Sequence, residues 1–303
     1  MKLNNENSEV SLNSKFSILN FLSYFCTKII KKKMLKFISF GSGSSGNCYY
    51  LGTATDGLII DIGIGIRTLK KYCREYGIQL NSVKRILITH DHADHIKSVG
   101  ALSHDMNLPV YATRKVHEGI DANYCVTRKV TADHKKEIEL NTEIQLGDFK
   151  VRPFAVPHDA TENVGYELEV EGMTFVVLTD VGSITDDIRE AISHANYLVI
   201  EANHDVEMLK NGPYPKYLQD RILSNSGHLS NASCGEALVE NMTEGLKHIW
   251  LCHLSEENNH PELARKTVEQ ILRSHGIIPG KDVELEVLKR KTPTGVYELS
   301  FEV

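Results

Sequence analysis

Within six consecutive residues, His90-Asp91-His92-Ala93-Asp94-His95, the chain places three histidines and two aspartates. At the spacing H-x-H-x-D-H, four of these are types that a transition metal takes as ligands, through imidazole nitrogen and carboxylate oxygen. The preceding Arg85-Ile86-Leu87-Ile88-Thr89 reads as a buried strand, so the cluster falls where a strand ends and a helix can begin. His90 and His92 alternate onto one face, while Asp94 and His95 lie beyond the turn and can address a second position, so one loop can serve two cations. Helix capping by Asp91 or Asp94 would need one carboxylate and explains none of the histidines.

Further groups of the same kind stand at the ends of other apolar runs. His158 follows a proline at the exit of a strand over 150–156 and reads either as a ligand or as a structural histidine. Asp180 ends the apolar run 173–178, where a carboxylate is costly unless it caps a turn or meets a cation. With the metal loop in hand, the cation is favoured. Glu201 ends the run 196–200, His228 opens a later helix, and His253 follows the strand at 248–251 beside Cys252. Asp61 closes the strand 57–60, placed either to orient a ligand histidine as an acceptor or to cap the next turn of the chain.

These positions need strands to hold them, and the pattern supplies strands at 35–40, 48–51, 57–60, 85–89, 109–112, 150–156, 173–178, 196–200, 248–251, 283–288 and 296–301. Helical composition covers 67–76, 93–103, 206–210, 216–223 and 262–274, with helix starts at 113 and after 227. Gly147-Asp148 marks a hairpin. The Gly- and Ser-rich loop 41–47 joins two strands, so it is no P-loop; a hairpin turn and a substrate-facing loop are equally good readings. Strands alternate with helices but also pair as hairpins, which two mixed sheets between helices explain better than a singly wound parallel sheet.

The 303 residues, 41% hydrophobic and 24% charged, describe a globular chain able to bury a sizeable core. A net charge of −6 gives no global attraction to nucleic acid or an anionic membrane, so a polyanion would need a local patch or metals. Lys210, Lys216, Arg221 and Lys289-Arg290-Lys291 are candidate phosphate contacts, each equally readable as solvated charge. The six cysteines form no C-x-x-C pair, as expected of reduced thiols in a cytoplasmic protein. Residues 1–33 read as an accessory extension, either from an upstream start codon or an amphipathic helix for a partner or membrane surface. Their apolar part is too short and interrupted for a membrane span. The main domain is 34–303.

With H-x-H-x-D-H succeeded in order by His158, Asp180 and His253, residues 34–303 resemble the metallo-β-lactamase fold superfamily. Segments 41–47, 201–205, 227–231 and 252–259 resemble its bacterial YycJ (WalJ, VicX) branch, whose members are linked to 5′ to 3′ exonuclease activity on double-stranded DNA. The resemblance implies an α/β fold, a four-layer αββα sandwich of two mixed sheets flanked by helices. It implies two divalent metal ions, zinc or manganese with iron possible: His90, His92 and His158 on one, Asp94, His95 and His253 on the other, Asp180 bridging. A hydroxide shared by the ions would attack phosphorus, because paired cations lower the pKa of water from about 15.7 toward about 7. By similarity to ribonuclease Z, Glu201 positions His228, which stabilises the phosphate or protonates the leaving oxygen, the other reading of His228 being a helix-start histidine with a structural hydrogen bond; with Asp94 these are the expected catalytic side chains. No cysteine stands at the Asp180 position, which disfavours β-lactam hydrolysis. The short spacings from His158 to Asp180 and from Asp180 to His253 leave no room for a ribonuclease Z arm or a β-CASP domain.

The expected function is therefore a dinuclear phosphodiesterase acting on nucleic acid, most naturally a DNA exonuclease. The alternatives are a small-molecule hydrolase of cyclic phosphodiesters, thioesters or lactones, favoured by the acidic net charge, and a non-catalytic accessory protein with structural metals.

Overall fold

The computed structural model describes residues 34–300. In chain order its strands are Met34–Gly41 (β1), Cys48–Gly52 (β2), Gly57–Ile60 (β3), Val83–Leu87 (β4), Val110–Ala112 (β5), Lys135–Glu137 (β6), Ile144–Leu146 (β7), Phe149–Ala155 (β8), Val164–Val170 (β9), Met173–Leu178 (β10), Tyr197–Glu201 (β11), His248–Cys252 (β12), Glu284–Val287 (β13) and Tyr297–Ser300 (β14). The helices are Ile66–Glu75 (α1), Ala93–Ile96 (α2), Val99–Met106 (α3), Arg114–Ala122 (α4), Asp186–His194 (α5), Val206–Asn211 (α6), Lys216–Ile222 (α7), Asn231–Asn241 (α8) and Pro261–Ser274 (α9). β1 to β6 form one seven-stranded sheet with β14 joining its β1 edge; β7 to β13 form a second in reverse sequential order. Both are mixed: β3, β4, β5 and β6 run parallel, as do β10 to β13, while the remaining pairings are antiparallel.

The two-residue period of a strand explains the layering. Along β10, Phe175 and Val177 face the core shared with the other sheet, whereas Val176 and Leu178 face α5, α8 and α9. Tyr197 and Val199 against Leu198 and Ile200, and Trp250 and Cys252 against Ile249 and Leu251, repeat the division. Between the sheets Phe37 meets Phe175 and Trp250 at ring-centroid distances of 5.0 and 4.7 Å. α1, α3 and α4 add Leu69, Leu102 and Val116 to that side. The order is helices, sheet, sheet, helices, the expected four-layer sandwich. At roughly 1.5–3 kcal/mol for each large apolar side chain buried, these two cores hold the frame on which the strand ends are mounted.

Those strand ends gather at one edge. β3 and β4 in the first sheet and β10, β11 and β12 in the second present their C-terminal ends there, the place where open α/β sheets leave a crevice. Of the non-glycine residues with positive φ, Asp61 (59°), Asp180 (57°) and His253 (52°) each come directly or almost directly after one of these strands. The left-handed conformation is uncommon outside glycine, although aspartate and histidine adopt it more readily than most, and it turns these three sharply off their strands.

Several segments depart from the sequence expectation. The helix expected over 93–103 breaks into α2 and α3: the Ile62 N–H donates to His95 O at 2.7 Å and the Ser98 N–H to Ile62 O at 3.0 Å, so the chain leaving β3 takes bonds that would have continued the helix. β9 has no counterpart in the sequence expectation; it pairs with β8 and with β10, joined to the latter by Glu171 and Gly172 at φ 55° and 81°, a hairpin turn. α5, capped by Thr185, is likewise new. The proposed extension 1–33 and the end of the last strand lie outside the described residues.

Candidate metal centre

The loop after β4 is held by a relay of hydrogen bonds that fixes which ring nitrogen each histidine turns inward. A carboxylate only accepts, so Asp61, fully buried, must receive protons from everything it touches: the Thr89 N–H and hydroxyl, both at 2.8 Å, and His95 Nδ1 at 2.7 Å. The Thr89 hydroxyl, having given its proton to Asp61, accepts from His90 Nδ1 at 3.0 Å. His158 Nδ1 donates to Gly227 O at 2.9 Å, and His253 Nδ1 to Glu201 Oε1 at 3.0 Å. His90, His95, His158 and His253 therefore all turn Nε2 inward.

These ring nitrogens converge. His158 Nε2 lies 3.3 Å from His92 Nδ1, and His90, His92 and His158 form one group whose ligand atoms lie within 4.8 Å of one another. Asp94, His95 and His253 form a second such group, with Asp94 Oδ2 3.4 Å from His253 Nε2 and 3.6 Å from His95 Nε2. Asp180 stands between them: Oδ1 is 3.7 Å from His158 Nε2 and Oδ2 is 3.2 Å from His95 Nε2. All seven residues expected to bind metal thus meet at one place.

The residues fit a divalent cation. His90 Nε2 is buried with no hydrogen-bond partner among the described residues, an arrangement that costs stability unless something electrophilic takes the lone pair. Burial, followed by the charge on His95, holds His90 well below its ordinary pKa and so neutral. His95 goes the other way. Burial opposes its charge, but the Asp180, Asp61 and Asp94 carboxylates outweigh burial and lift it to about 10. Asp94 is drawn down to about 2 against its own burial by His95 and His253. A concentrated set of buried carboxylates and imidazoles is one that exchanges protons for metal.

Glu201 and His228, expected to act together, do touch. Glu201 is fully buried; Oε2 accepts from the Val181 N–H at 2.7 Å and the Leu229 N–H at 3.0 Å, leaving Oε1 for His228 Nδ1 at 2.9 Å and for His253. Its carboxyl is at about 2, opposed by burial and lowered by His228 and His253. One carboxylate therefore orients both a member of the metal cluster and the histidine beside it. Asp61 orients His95, and the capping alternative for it does not apply. Nor does Asp91 cap the helix: the N-cap of α2 is His92, which makes no side-chain cap bond, and Asp91 accepts from Thr161 instead.

Four participants carry no signal of their own in the sequence pattern. Thr89 links Asp61 to His90. Asn47 Nδ2 lies 2.8 Å from His95 Nε2 and 3.3 Å from Asp94 Oδ2, so the loop after β1 is both a hairpin and a wall of the site. Ser42 Oγ accepts from the His253 N–H at 3.0 Å, and Asn203 Nδ2 donates to His253 O at 2.8 Å. The one hint for Asn47 is its place at the end of a glycine-rich loop. Of the candidate phosphate contacts, Lys210 and Lys216 pair on the surface with Glu207 and Asp220, the solvated reading. Arg221 reaches Asp159 and, with Tyr214, Leu218 and His253, lines a cleft of about 350 Å³ beside the cluster. Arg290 donates to Ser255 O, and Lys291 pairs with Glu256.

Comparison with known proteins identifies the family. Residues 58–249 match the β-lactamase superfamily domain. The exodeoxyribonuclease YycJ of Bacillus anthracis is 36% identical over 262 residues, 86% of this chain and 98% of that protein. The exodeoxyribonuclease WalJ of Streptococcus pneumoniae is 35% identical over 264 residues, 87% of this chain and 98% of that protein. The crystal structure of the metallo-β-lactamase fold protein YhfI from Bacillus subtilis superposes with a TM-score of 0.64 at 18% identity, covering 88% of this chain and all of that one. The chain belongs to the metallo-β-lactamase fold superfamily, in its YycJ/WalJ branch.

Proposed function

We propose that this protein is a metal-dependent DNA exonuclease that shortens DNA from 5′ ends, with two divalent ions held by His90, His92 and His158 and by Asp94, His95 and His253, and Asp180 between them. The observation that carries the reading is the convergence of seven nitrogen and oxygen donors, among them His90 Nε2, which is buried and without a hydrogen-bond partner among the described residues. The exodeoxyribonuclease relatives supply the substrate class. Nitrogen and oxygen donors without thiolate suit zinc, manganese or iron. Bound there, such ions would supply an activated water and positive charge for the phosphate.

The chain's own residues would do the rest. Glu201, pinned by two backbone N–H groups, takes the His228 Nδ1 proton as a hydrogen bond and so leaves Nε2 to face the substrate. Glu201 holds the His228 pKa above its ordinary value against the effect of burial, so the imidazolium carries a second proton on Nε2 and would donate it to a phosphate oxygen or to the departing oxygen, a general-acid role. Asn47 and Ser42 hold the hairpin loop against His95 and His253, closing the cluster from the first sheet. Incubation of the purified full chain with Mn²⁺ or Zn²⁺ and end-labelled duplex DNA tests the proposal. Progressive loss of 5′ nucleotides supports it. Intact DNA alongside a cleaved small phosphodiester would instead support a small-molecule hydrolase, the reading that the net charge of −6 favours.

A further inference from the structure

His228 is a shared wall. On one side it faces the cleft over the metal cluster; on the other it lines a separate cavity of about 480 Å³ between the loop after Asp180 and the start of α8. That volume is within the range of small-molecule sites, roughly 300–1,000 Å³. At its base is His204, which is 1% exposed and has neither ring nitrogen hydrogen-bonded among the described residues. The His204 main chain is fixed at this place, bridged to Ser230 and with its carbonyl accepting from the Asn231 N–H at 2.9 Å. A buried imidazole with two unanswered nitrogens costs stability unless a ligand or ordered water meets it.

The lining says which ligand. Ile184, Val206 and Leu229 give apolar walls, while Ser230, Ser233 and Glu236 give polar groups along one helix. A phosphate is disfavoured: Glu236 and Glu240 both face the space, and the one guanidinium there, Arg189, is paired with Glu240 at 2.8 Å. Burial lowers His204 to about 4, so its ring is neutral, with one donor and one acceptor. Aliphatic walls, a carboxylate acceptor, hydroxyls and a neutral imidazole suit a nucleobase, whose edge offers amino and ring-nitrogen groups.

We infer that this cavity receives the nucleoside adjoining the phosphodiester under attack, with His204 hydrogen-bonding to the base while the phosphate stays on the metal side of His228. The inference rests on the nuclease function proposed for the metal centre and assigns that centre a base-holding subsite. It gives His204, Ser233 and Glu236 roles in substrate grip that leave the metal cluster alone.

The test compares 2′-deoxyadenosine 5′-monophosphate with 2-deoxyribose 5-phosphate, titrated calorimetrically into the full metal-loaded chain. The nucleotide should bind at least about tenfold more tightly than the sugar phosphate. Ser233→Phe, which fills the cavity from α8, should erase that advantage while sugar phosphate affinity stays the same; His204→Phe should reduce it several-fold. Equal affinities of the unmutated chain for the two probes, or an advantage that survives Ser233→Phe, would overturn the inference. The unmutated chain's ratio decides the matter even if a variant fails to fold. Duplex DNA that is digested without any base-dependent binding would sink the cavity's role and spare the nuclease; base-dependent binding with undigested DNA would do the reverse.

Discussion

Thr89 shows how much of the centre depends on groups that never meet a cation. Its hydroxyl gives a proton to Asp61 and takes one from His90, so two imidazoles share one arrangement of hydrogen bonds. Partners of this kind are worth roughly 10–100-fold in metal affinity. Thr89→Val keeps the shape, strands His90 Nδ1 and empties one acceptance at Asp61; it is expected to weaken metal binding by about that factor, measured by competition with a chromogenic chelator. His228 belongs to the other class. Its ring touches Glu201 but is not among the groups expected to bind metal, so His228→Ala should leave metal content at the unmutated level and lower kcat by about 10²–10⁴-fold, the usual worth of a positioned acid. A parallel loss of metal in that variant would make His228 a ligand instead of an acid.

The elements bring these groups together by close backbone approach, and Gly63 marks the tightest one. A Cβ there would fall 1.6 Å from the Asp94 carbonyl oxygen, while the neighbouring Ile62 and Asn47 N–H groups bond carbonyls of the same loop. Gly63→Ala must push the metal loop outward. It is expected to cost roughly 1–3 kcal/mol or more, as overpacking does, seen as a lower denaturant midpoint, and to release metal at the same time. Such approaches also explain what is legible in the sequence. His90, His92, Asp94 and His95 can be read there because ligand types crowd one strand end, and His158, Asp180 and His253 because each repeats that position. Thr89, Asn47 and Ser42 cannot, since a hydroxyl or an amide has no signature until the fold sets it beside an imidazole. β9 stays hidden although Val164, Tyr166, Leu168 and Val170 alternate inward, because Gly165 and the nearby acids dilute the apolar pattern. The single helix expected over 93–103 fails for a tertiary reason, the competing bonds from the chain leaving β3.

As a whole the molecule is a poor polycation, and that sets how it can hold DNA. The chain carries −6, and the cations nearest the cleft are engaged: Arg221 with Asp159, Arg290 with a backbone carbonyl, Lys291 with Glu256. Lys289 stands in the same basic run, next to the Ser42 N–H that bonds its carbonyl. Counterion release scales with the phosphates neutralised, at about −0.9 in the slope of log affinity against log salt for each one. If the metal centre and the base cavity do most of the holding, only the Lys289-Arg290-Lys291 corner adds phosphate contacts, and the slope for duplex binding should be no steeper than about −3. Fluorescence anisotropy of a labelled duplex between low and physiological salt measures it. Lys289→Ala should flatten the slope by about one phosphate without changing the metal content, whereas Lys216→Ala, paired with Asp220 on the surface, should leave it unaltered. A slope several units steeper would mean that an extended basic track, and not the end-gripping centre, carries the DNA.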